Sequence, residues 1–283
     1  MAISMVKRME PHGFTLIEMI MVIVLLGILS TVLVVFIVTP FQAARDMERR
    51  AELVDAADLA LNQIARELRA ALPNSIRVHG SGHIEFIGTV TGGRYRRLPA
   101  PGGGSDIFVP ARSSDSFDVL GKLPDFGQVV TRPPGADCGT AAGHCLSVFN
   151  TGQPDFNVYA GDNLAAITAA SENSISYDRS ASGRAFVTHS PQQRFFVFDN
   201  VVSYVCNPTT GALRRHAGYG LSTGTPSLPP GGGELVATRV VDCQFSYFPG
   251  TATRRGLVSL RLDLEDDGER VFLLVQAQVL NTP

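Results

Sequence analysis

The sequence lacks most of what marks a nucleic-acid binder, an enzyme or a multi-span membrane protein. There is no basic excess: 24 Lys and Arg stand against 26 Asp and Glu, for a formal charge of −2, so the electrostatic footprint of nucleic-acid binding is missing. No Gly-x-Ser-x-Gly elbow, no His-Glu-x-x-His and no dinucleotide fingerprint before a helix occurs, and no catalytic constellation stands out. The glycine runs at 102–104 and 231–233 are not followed by Gly-Lys-Ser/Thr, so they read as connectors and not as phosphate loops. His79 and His83 fall in a Gly-rich turn, where their spacing does not set both on one face for a metal. Asp263-Leu-Glu-Asp-Asp-Gly268 opens like an EF-hand loop. However, Glu265 stands at its third position and Leu274 falls where a bidentate Glu is needed, so a charged hairpin turn is the better reading. The local basic run Arg94-Tyr95-Arg96-Arg97 reads as solvated surface. No enzyme activity, cofactor or metal is expected. A second stretch of 18 apolar residues is also missing, which limits the chain to one membrane anchor.

That anchor is the run from Phe14 to Val38, 25 residues in which Glu18 alone is charged. At about 1.5 Å per residue it spans a hydrocarbon core of roughly 30 Å with tilt to spare. The segment before it, Met1–Gly13, carries Lys7 and Arg8, and a positive leader stays cytoplasmic. Everything after the helix is therefore expected across the membrane. The run exceeds the apolar core of a secretory signal peptide, and no small-residue cleavage site follows it cleanly. A plain signal anchor fits the length but leaves Glu18 without a reason. An acid in hydrocarbon is expensive and calls for a partner, unless it snorkels to the nearby interface.

Residues His12-Gly-Phe-Thr-Leu-Ile-Glu18 resemble the processing site of class III signal peptides, which belong to type IV pilins and to the pseudopilins of type II secretion. Gly13, Phe14, Thr15, Leu16 and Glu18 carry the match, ahead of an uninterrupted apolar helix. The resemblance implies that a prepilin peptidase cuts between Gly13 and Phe14 and N-methylates Phe14, while the apolar helix is kept. It further implies that Glu18 of one subunit meets the Phe14 ammonium of a neighbour. A buried pair roughly offsets its own desolvation, so Glu18 would act as a register key more than as glue. The implied partners are the peptidase, other major and minor pilins in a filament or initiation complex, and an assembly platform protein in the bacterial inner membrane. The head would sit in the periplasm and then on a pilus or pseudopilus.

Beyond Val38 the helix is expected to continue, with Pro40 as a candidate kink. Leu53, Ala57, Ala60, Leu61, Ile64, Leu68 and Leu72 recur at three- and four-residue steps, and Pro73-Asn74 stops the pattern. The expected division is a cleaved leader 1–13, a membrane or filament-core helix 14–38, an amphipathic continuation 39–72 and a β-rich head 73–283. The fold class is α+β: one long N-terminal helix packed on a large antiparallel sheet. Strand candidates are Ile84–Val90, Asp106–Val109, Ser116–Leu120, Cys145–Phe149, Ser174–Tyr177, Ala185–Thr188, Arg194–Phe198, Val201–Cys206, Leu235–Phe248, Leu257–Leu264 and Val271–Val279. Asp267-Gly268 is a two-residue hairpin turn. Pairing outward from it sets Leu264 against Val271, Leu262 against Leu273, Leu260 against Val275 and Val258 against Ala277, all on one face. Cys138, Cys145, Cys206 and Cys243 fall on the oxidising side and allow three connectivities. Cys138–Cys145, closing a short loop, and Cys206–Cys243, tying two strand candidates, are favoured.

A second resemblance rests on Phe195-Phe-Val-Phe-Asp-Asn-Val-Val-Ser-Tyr-Val-Cys206, Gly211-Ala-Leu-Arg-Arg-His-Ala-Gly-Tyr219, and the ending Leu257 to Leu262 with Asn281-Thr-Pro283. These look like the O-type minor pilins of mannose-sensitive haemagglutinin pilus systems, a group close in plan to the J-type pseudopilins of type II secretion. Three function classes follow: a minor pilin that initiates or tips a pilus, a minor pseudopilin in protein export, and a tip adhesin or DNA-uptake receptor. The last wants a basic or aromatic surface cluster that the sequence does not supply.

Overall fold

A computed structural model describes residues 13–104, 106–139, 143–180, 186–224, 232–251 and 254–283. Lys7 and Arg8 lie outside them, as do the middle of the Cys138–Cys145 loop and Gly231. The chain divides into two compact units, one up to Ala51 and one from Glu52 to Pro283.

The first unit is helical: α1 spans Leu16–Leu33, a π-helical turn spans Val34–Val38, and α2 begins at Thr39 and continues to Arg69 in the second unit. Its most apolar 18-residue window has a mean hydropathy of 3.2, and among the described residues this is the one helix long and apolar enough to cross a membrane. Ser30 and Thr31 return their hydroxyls to Leu26 O and Ile28 O at 2.7 Å each, so neither leaves an unpaired donor facing hydrocarbon. The π turn ends two residues before Pro40. Proline removes one backbone donor and crowds the carbonyl four residues back, here that of Phe36, and a widened turn is one way a helix absorbs both. The sequence pointed to a disturbance at Pro40; the structure places it in the turn just before.

In the second unit, α2 buries Leu53, Ala57, Ala60, Leu61, Ile64, Ala65 and Leu68 on one face. The helix stops at Arg69, short of the expected Leu72, because the sheet takes over the backbone there. Leu72 N donates to Ile87 O at 2.8 Å, Thr89 N donates to Ala70 O at 3.0 Å, and Ala71 bridges Gly88. Leu72 is still buried, in a separate apolar cluster with Ile87 and Phe198.

The nine-stranded sheet comprises β1 Arg77–Val78, β2 His83–Arg94, β3 Ser114–Asp118, β4 Cys145–Ser147, β5 Leu164–Ala170, β6 Ser174–Asp178, β7 Arg194–Asn207, β8 Ala212–Tyr219 and β9 Glu234–Thr238. The three-stranded sheet comprises β10 Val240–Phe248, β11 Gly256–Asp266 and β12 Glu269–Val279. The larger runs β1-β2-β7-β4-β5-β6-β3, with β8 on β7 and β9 on β8; the smaller runs β10-β11-β12. Every pairing is antiparallel. The helix face, β2, β7, β8 and the three-stranded sheet close one core. The segment between β2 and β7 closes a second, aromatic one around Tyr95, Phe108, Phe117, Tyr177, Phe186 and Phe195.

Several strand expectations are corrected. Arg194–Phe198 and Val201–Cys206 are one strand, β7, which slips register at Asp199-Asn200 but does not end there. Leu235–Phe248 is two strands in different sheets, parted at Arg239, whose φ of 60° is left-handed. Arg239 turns the chain out of one sheet and into the other, and its guanidinium lies 3.5 Å from Asp266 and 3.8 Å from Glu52. Asp106–Val109 is irregular, though Phe108 N donates to Arg96 O at 2.9 Å. Ala185 lies outside the described residues, and Phe186–Thr188 is not a strand. β1, β5 and β8 were not among the candidates. The C-terminal hairpin has the register read from its turn: Leu264–Val271, Leu262–Leu273, Leu260–Val275 and Val258–Ala277 are paired, and Val258, Leu260, Leu262 and Leu264 face the core under α2.

Candidate functional site

The N-terminal segment holds Gly13, Phe14 and Glu18 in a defined local structure. Gly13 and Phe14 precede the helix in irregular backbone, both exposed. Thr15 is the N-cap of α1, in extended conformation, and its hydroxyl accepts from Glu18 N at 3.4 Å. Glu18 therefore occupies the third helical position of a Thr-x-x-Glu capping pattern, in a first turn where an acid is favoured by the helix dipole. Sequence reading placed Glu18 as an intramembrane acid and overlooked this cap; the signal was Thr15 three residues ahead of Glu18 before an apolar run. All large apolar side chains of α1 are exposed among the described residues.

In the head, sequence reading also overlooked a buried polar network around Glu85. Glu85 lies on β2 opposite Arg77 of β1 and is 1 % exposed. Arg77 donates twice to its Oε2, at 3.1 and 2.6 Å, and His79 Nε2 lies 2.9 Å from the same oxygen. The Tyr219 hydroxyl donates to Oε1 at 3.2 Å. Behind it, Ser203 Oγ bonds the Tyr219 hydroxyl and lies 2.8 Å from His83 Nε2. The Arg77 guanidinium also covers the Tyr159 ring at 3.4 Å and donates to Ser222 O and Thr223 O. The network thus joins β1, β2, β7, β8, the 158–160 turn and the segment after β8. Burial, helped by the neighbouring His79, pushes the His83 imidazole down to about 4, and burial pushes the Tyr159 and Tyr219 phenols up. The available signal was an acid, Glu85, inside a strand whose neighbours Ile84, Phe86 and Ile87 are all apolar.

An imidazole beside a hydroxyl invites a nucleophile reading. Ser203 is fully buried and its oxygen is engaged on both sides, so no substrate atom reaches it. The rings of His79 and His83 lie 5.0 Å apart yet serve different partners, Glu85 and Ser203. Among the described residues no three His, Cys, Asp or Glu side chains converge as a metal site. Asp263, first in the acidic run, is 1 % exposed and clamped by Arg261 at 2.8 and 3.0 Å and by Arg270 at 2.9 Å. Those hydrogen bonds, Arg261 first, hold its carboxyl below the usual range. It faces guanidinium groups, which is the arrangement of a structural hairpin. The basic run is dispersed: Tyr95 is core, Arg94 donates to Gln192 O, and Arg96 lies 3.6 Å from Asp118.

Two disulfides brace the head. Cys138–Cys145 closes a loop of sequence separation 7 beside β4. Cys206–Cys243 joins the end of β7 to β10 and so stitches the two sheets together, where Phe245 N also donates to Ser81 O. A cavity of about 350 Å³ lies next to Cys138, between Tyr159, Asp178 and Leu221. The Asp178 carboxylate there is taken up by Gly135 N, Ser180 N and the Ser180 hydroxyl.

Comparison with known proteins bears on the N-terminal segment. Residues 8–34 match the family described as the prokaryotic N-terminal methylation motif. No curated protein and no solved structure matches the chain. The chain therefore carries a type IV pilin-like prepilin signal on an apolar helix of membrane-spanning length, followed by an antiparallel β head.

Proposed function

We propose that this chain is a minor type IV pilin. A prepilin peptidase cuts it between Gly13 and Phe14 and methylates the Phe14 amine. Residues 14–38 anchor it in the inner membrane and later enter a filament core; residues 39–72 lead into the head, and 73–283 form the periplasmic head. The observation that carries this reading is the methylation motif over residues 8–34, laid on a helix with an 18-residue window of hydropathy 3.2 whose large apolar side chains are exposed. Lys7 and Arg8 would hold the leader in the cytoplasm. Glu18 would pair with the Phe14 ammonium of an adjacent subunit and set its register. The assembly platform protein and other major and minor pilins are the partners this requires. No nucleic acid and no catalysis enter the reading.

Within that class we place the chain nearest the O-type minor pilins of mannose-sensitive haemagglutinin systems, as an initiating or tip subunit, on the resemblance of its β7–β8 and C-terminal sequences. A J-type minor pseudopilin uses the same anchor chemistry and differs by its partners. The deciding experiment is the intact mass and N-terminal residue of the protein made with and without a prepilin peptidase. Loss of residues 1–13 with one methyl on Phe14 is expected only with the peptidase. An uncut chain, or a cut beyond Val38, would overturn the reading.

A further inference from the structure

β2 ends and β7 begins on a pair of like charges. Arg94, the last residue of β2, is the register partner of Arg194, the first of β7. Like charges directly opposite each other in an antiparallel pair are destabilising, and an anion beside them offsets that cost. Other cations of the head have such an anion: Arg77 has Glu85, Arg215 has Glu67, and Arg261 and Arg270 share Asp263. Among the described residues neither Arg94 nor Arg194 has an acid partner. Arg94 Nε donates to Gln192 O at 3.1 Å, and Arg194 Nη1 donates to Thr282 O at 3.2 Å and Thr282 Oγ1 at 3.3 Å. These acceptors are neutral and leave both positive charges whole; nearby, Pro283 O is taken up by the Ser190 hydroxyl at 3.0 Å. The same two arginines line a groove of about 250 Å³ whose remaining walls are Gly93, Phe195, Phe196 and Leu280, all uncharged and mostly apolar. Arg94 is exposed, and Arg194, Phe196 and Leu280 are half-buried, so the groove opens to solvent.

We propose that Arg94 and Arg194 receive a carboxylate from a partner polypeptide, an Asp or Glu side chain whose large apolar neighbour enters the groove beside them. Charge complementarity selects the acid. A carboxylate accepts from a guanidinium fork with two oxygens, and one placed between two forks relieves the repulsion between them. The apolar walls select its neighbour, because covering Phe196 and Leu280 with another apolar side chain removes all of them from water. Size and openness select a polypeptide as the source. Sites that enclose a whole small molecule run to roughly 300–1,000 Å³ and bury most of it, whereas this groove is smaller and open on the Arg94 side. A side chain presented by another protein needs no such enclosure. The site lies wholly in the head and does not depend on how the N-terminal segment is processed.

The test uses the full chain in neutral-detergent micelles and three capped peptides with a central Phe-Glu, Phe-Gln or Ala-Glu step in a Gly-Ser frame. Saturation-transfer NMR should show the Phe-Glu peptide binding about tenfold more tightly than either of the others. Arg94→Gln should weaken that binding about tenfold, and Arg94→Lys, which keeps the charge without the fork, by less. Arg94 holds only Gln192 O, so the urea midpoint should not move; Arg194→Gln, which also loses Thr282, repeats the test from the other strand. Equal affinity for the three peptides, no binding of the Phe-Glu peptide, or affinity unchanged in both glutamine variants would overturn the proposal. So would phenyl phosphate binding more tightly than 3-phenylpropionate, which would assign the pair to a phosphoryl group. The source is read in envelopes of its own cells carrying Arg94→Lys. A water-soluble carbodiimide should condense the introduced amine, with loss of water, into an amide with an Asp or Glu of another protein that has a large apolar neighbour. The Lys122–Glu172 pair, 2.7 Å apart, is the internal positive control for that reaction. An amide to a small organic acid, or none at position 94 while the control pair is joined, would overturn the polypeptide assignment.

Discussion

Glu18 stands in the first turn of α1, and two physical demands meet there. As the third helical residue after the Thr15 cap it steadies its own helix; as a carboxylate in an apolar run it seeks a cation. Glu18→Gln separates them, because glutamine keeps the capping geometry and loses the charge. If pairing with the Phe14 ammonium sets register, Glu18→Gln is inserted and processed normally but enters filaments as poorly as Glu18→Ala; immunogold labelling or shear-fraction blots read this. Wild-type incorporation of the glutamine variant would leave Glu18 with the cap alone. In the head, Glu85 poses the reverse problem, a buried acid already paired. Glu85→Ala strands Arg77 and should lower unfolding free energy by about 3–5 kcal/mol, read from the urea midpoint. His83 adds a pH dependence. Its folded pKa, about 4, lies below its unfolded value near 6.5, so in that window the unfolded chain binds more protons. Stability from His83 is whole above pH 6.5 and drains as pH falls toward 4. His83→Gln should remove that share of the slope, and a slope unchanged by the substitution would mean other groups carry it.

At the scale of elements, the hairpin β11–β12 and the buried face of α2 were legible because each repeats one simple rule over many residues. The alternation from Val258 to Leu264 and the Asp267-Gly268 turn leave one register, and the seven helix positions follow one stripe. β1 and β5 were missed for a common reason. Arg77–Val78 is too short to show a period, and Leu164–Ala170 is mostly alanine, so tertiary pairing and not propensity makes them strands. Arg239 splits an otherwise continuous β-like run because two sheets compete for it, which no local pattern records. Within the N-terminal segment the methylation motif over residues 8–34 was legible, whereas the Thr15 cap needed only a motif that was overlooked. The Glu85 network could not be assembled from sequence, since its members come from six separate segments. Leu262→Ala, inside the hairpin core, should cost about 2–5 kcal/mol. The Cys206–Cys243 bond closes a separation of 37, for which loop entropy gives roughly 4 kcal/mol. A Cys206→Ala/Cys243→Ala chain should therefore unfold at clearly lower urea, whereas opening Cys138–Cys145, with its separation of 7, should lower it less. Equal losses would mean that strain or residual structure outweighs loop length.

For the whole molecule the decisive boundary is not where the membrane-length run ends but where the core begins. The compact head starts at Glu52, because Leu53, Ala57, Ala60, Leu61, Ile64, Ala65 and Leu68 are part of the same core as β2, β7, β8 and the three-stranded sheet. A chain beginning at Glu52 keeps every one of those side chains and discards the exposed apolar helix. It should be monomeric without detergent, hold both disulfides and unfold in one cooperative transition of the inter-sheet core. A chain beginning at Asn74 keeps the twelve strands of the described residues but loses the helix stripe. Uncovering Val258, Leu260, Leu262 and Leu264 together removes several large apolar contacts, each worth about 1.5–3 kcal/mol, from a fold whose net stability is about 5–15 kcal/mol. It should bind hydrophobic dyes, aggregate and show no cooperative melt by calorimetry. If the shorter chain melted as sharply as the longer one, the helix would be a handle lying on a head that folds without it, and its packed face would owe its apolar stripe to neighbours in a filament.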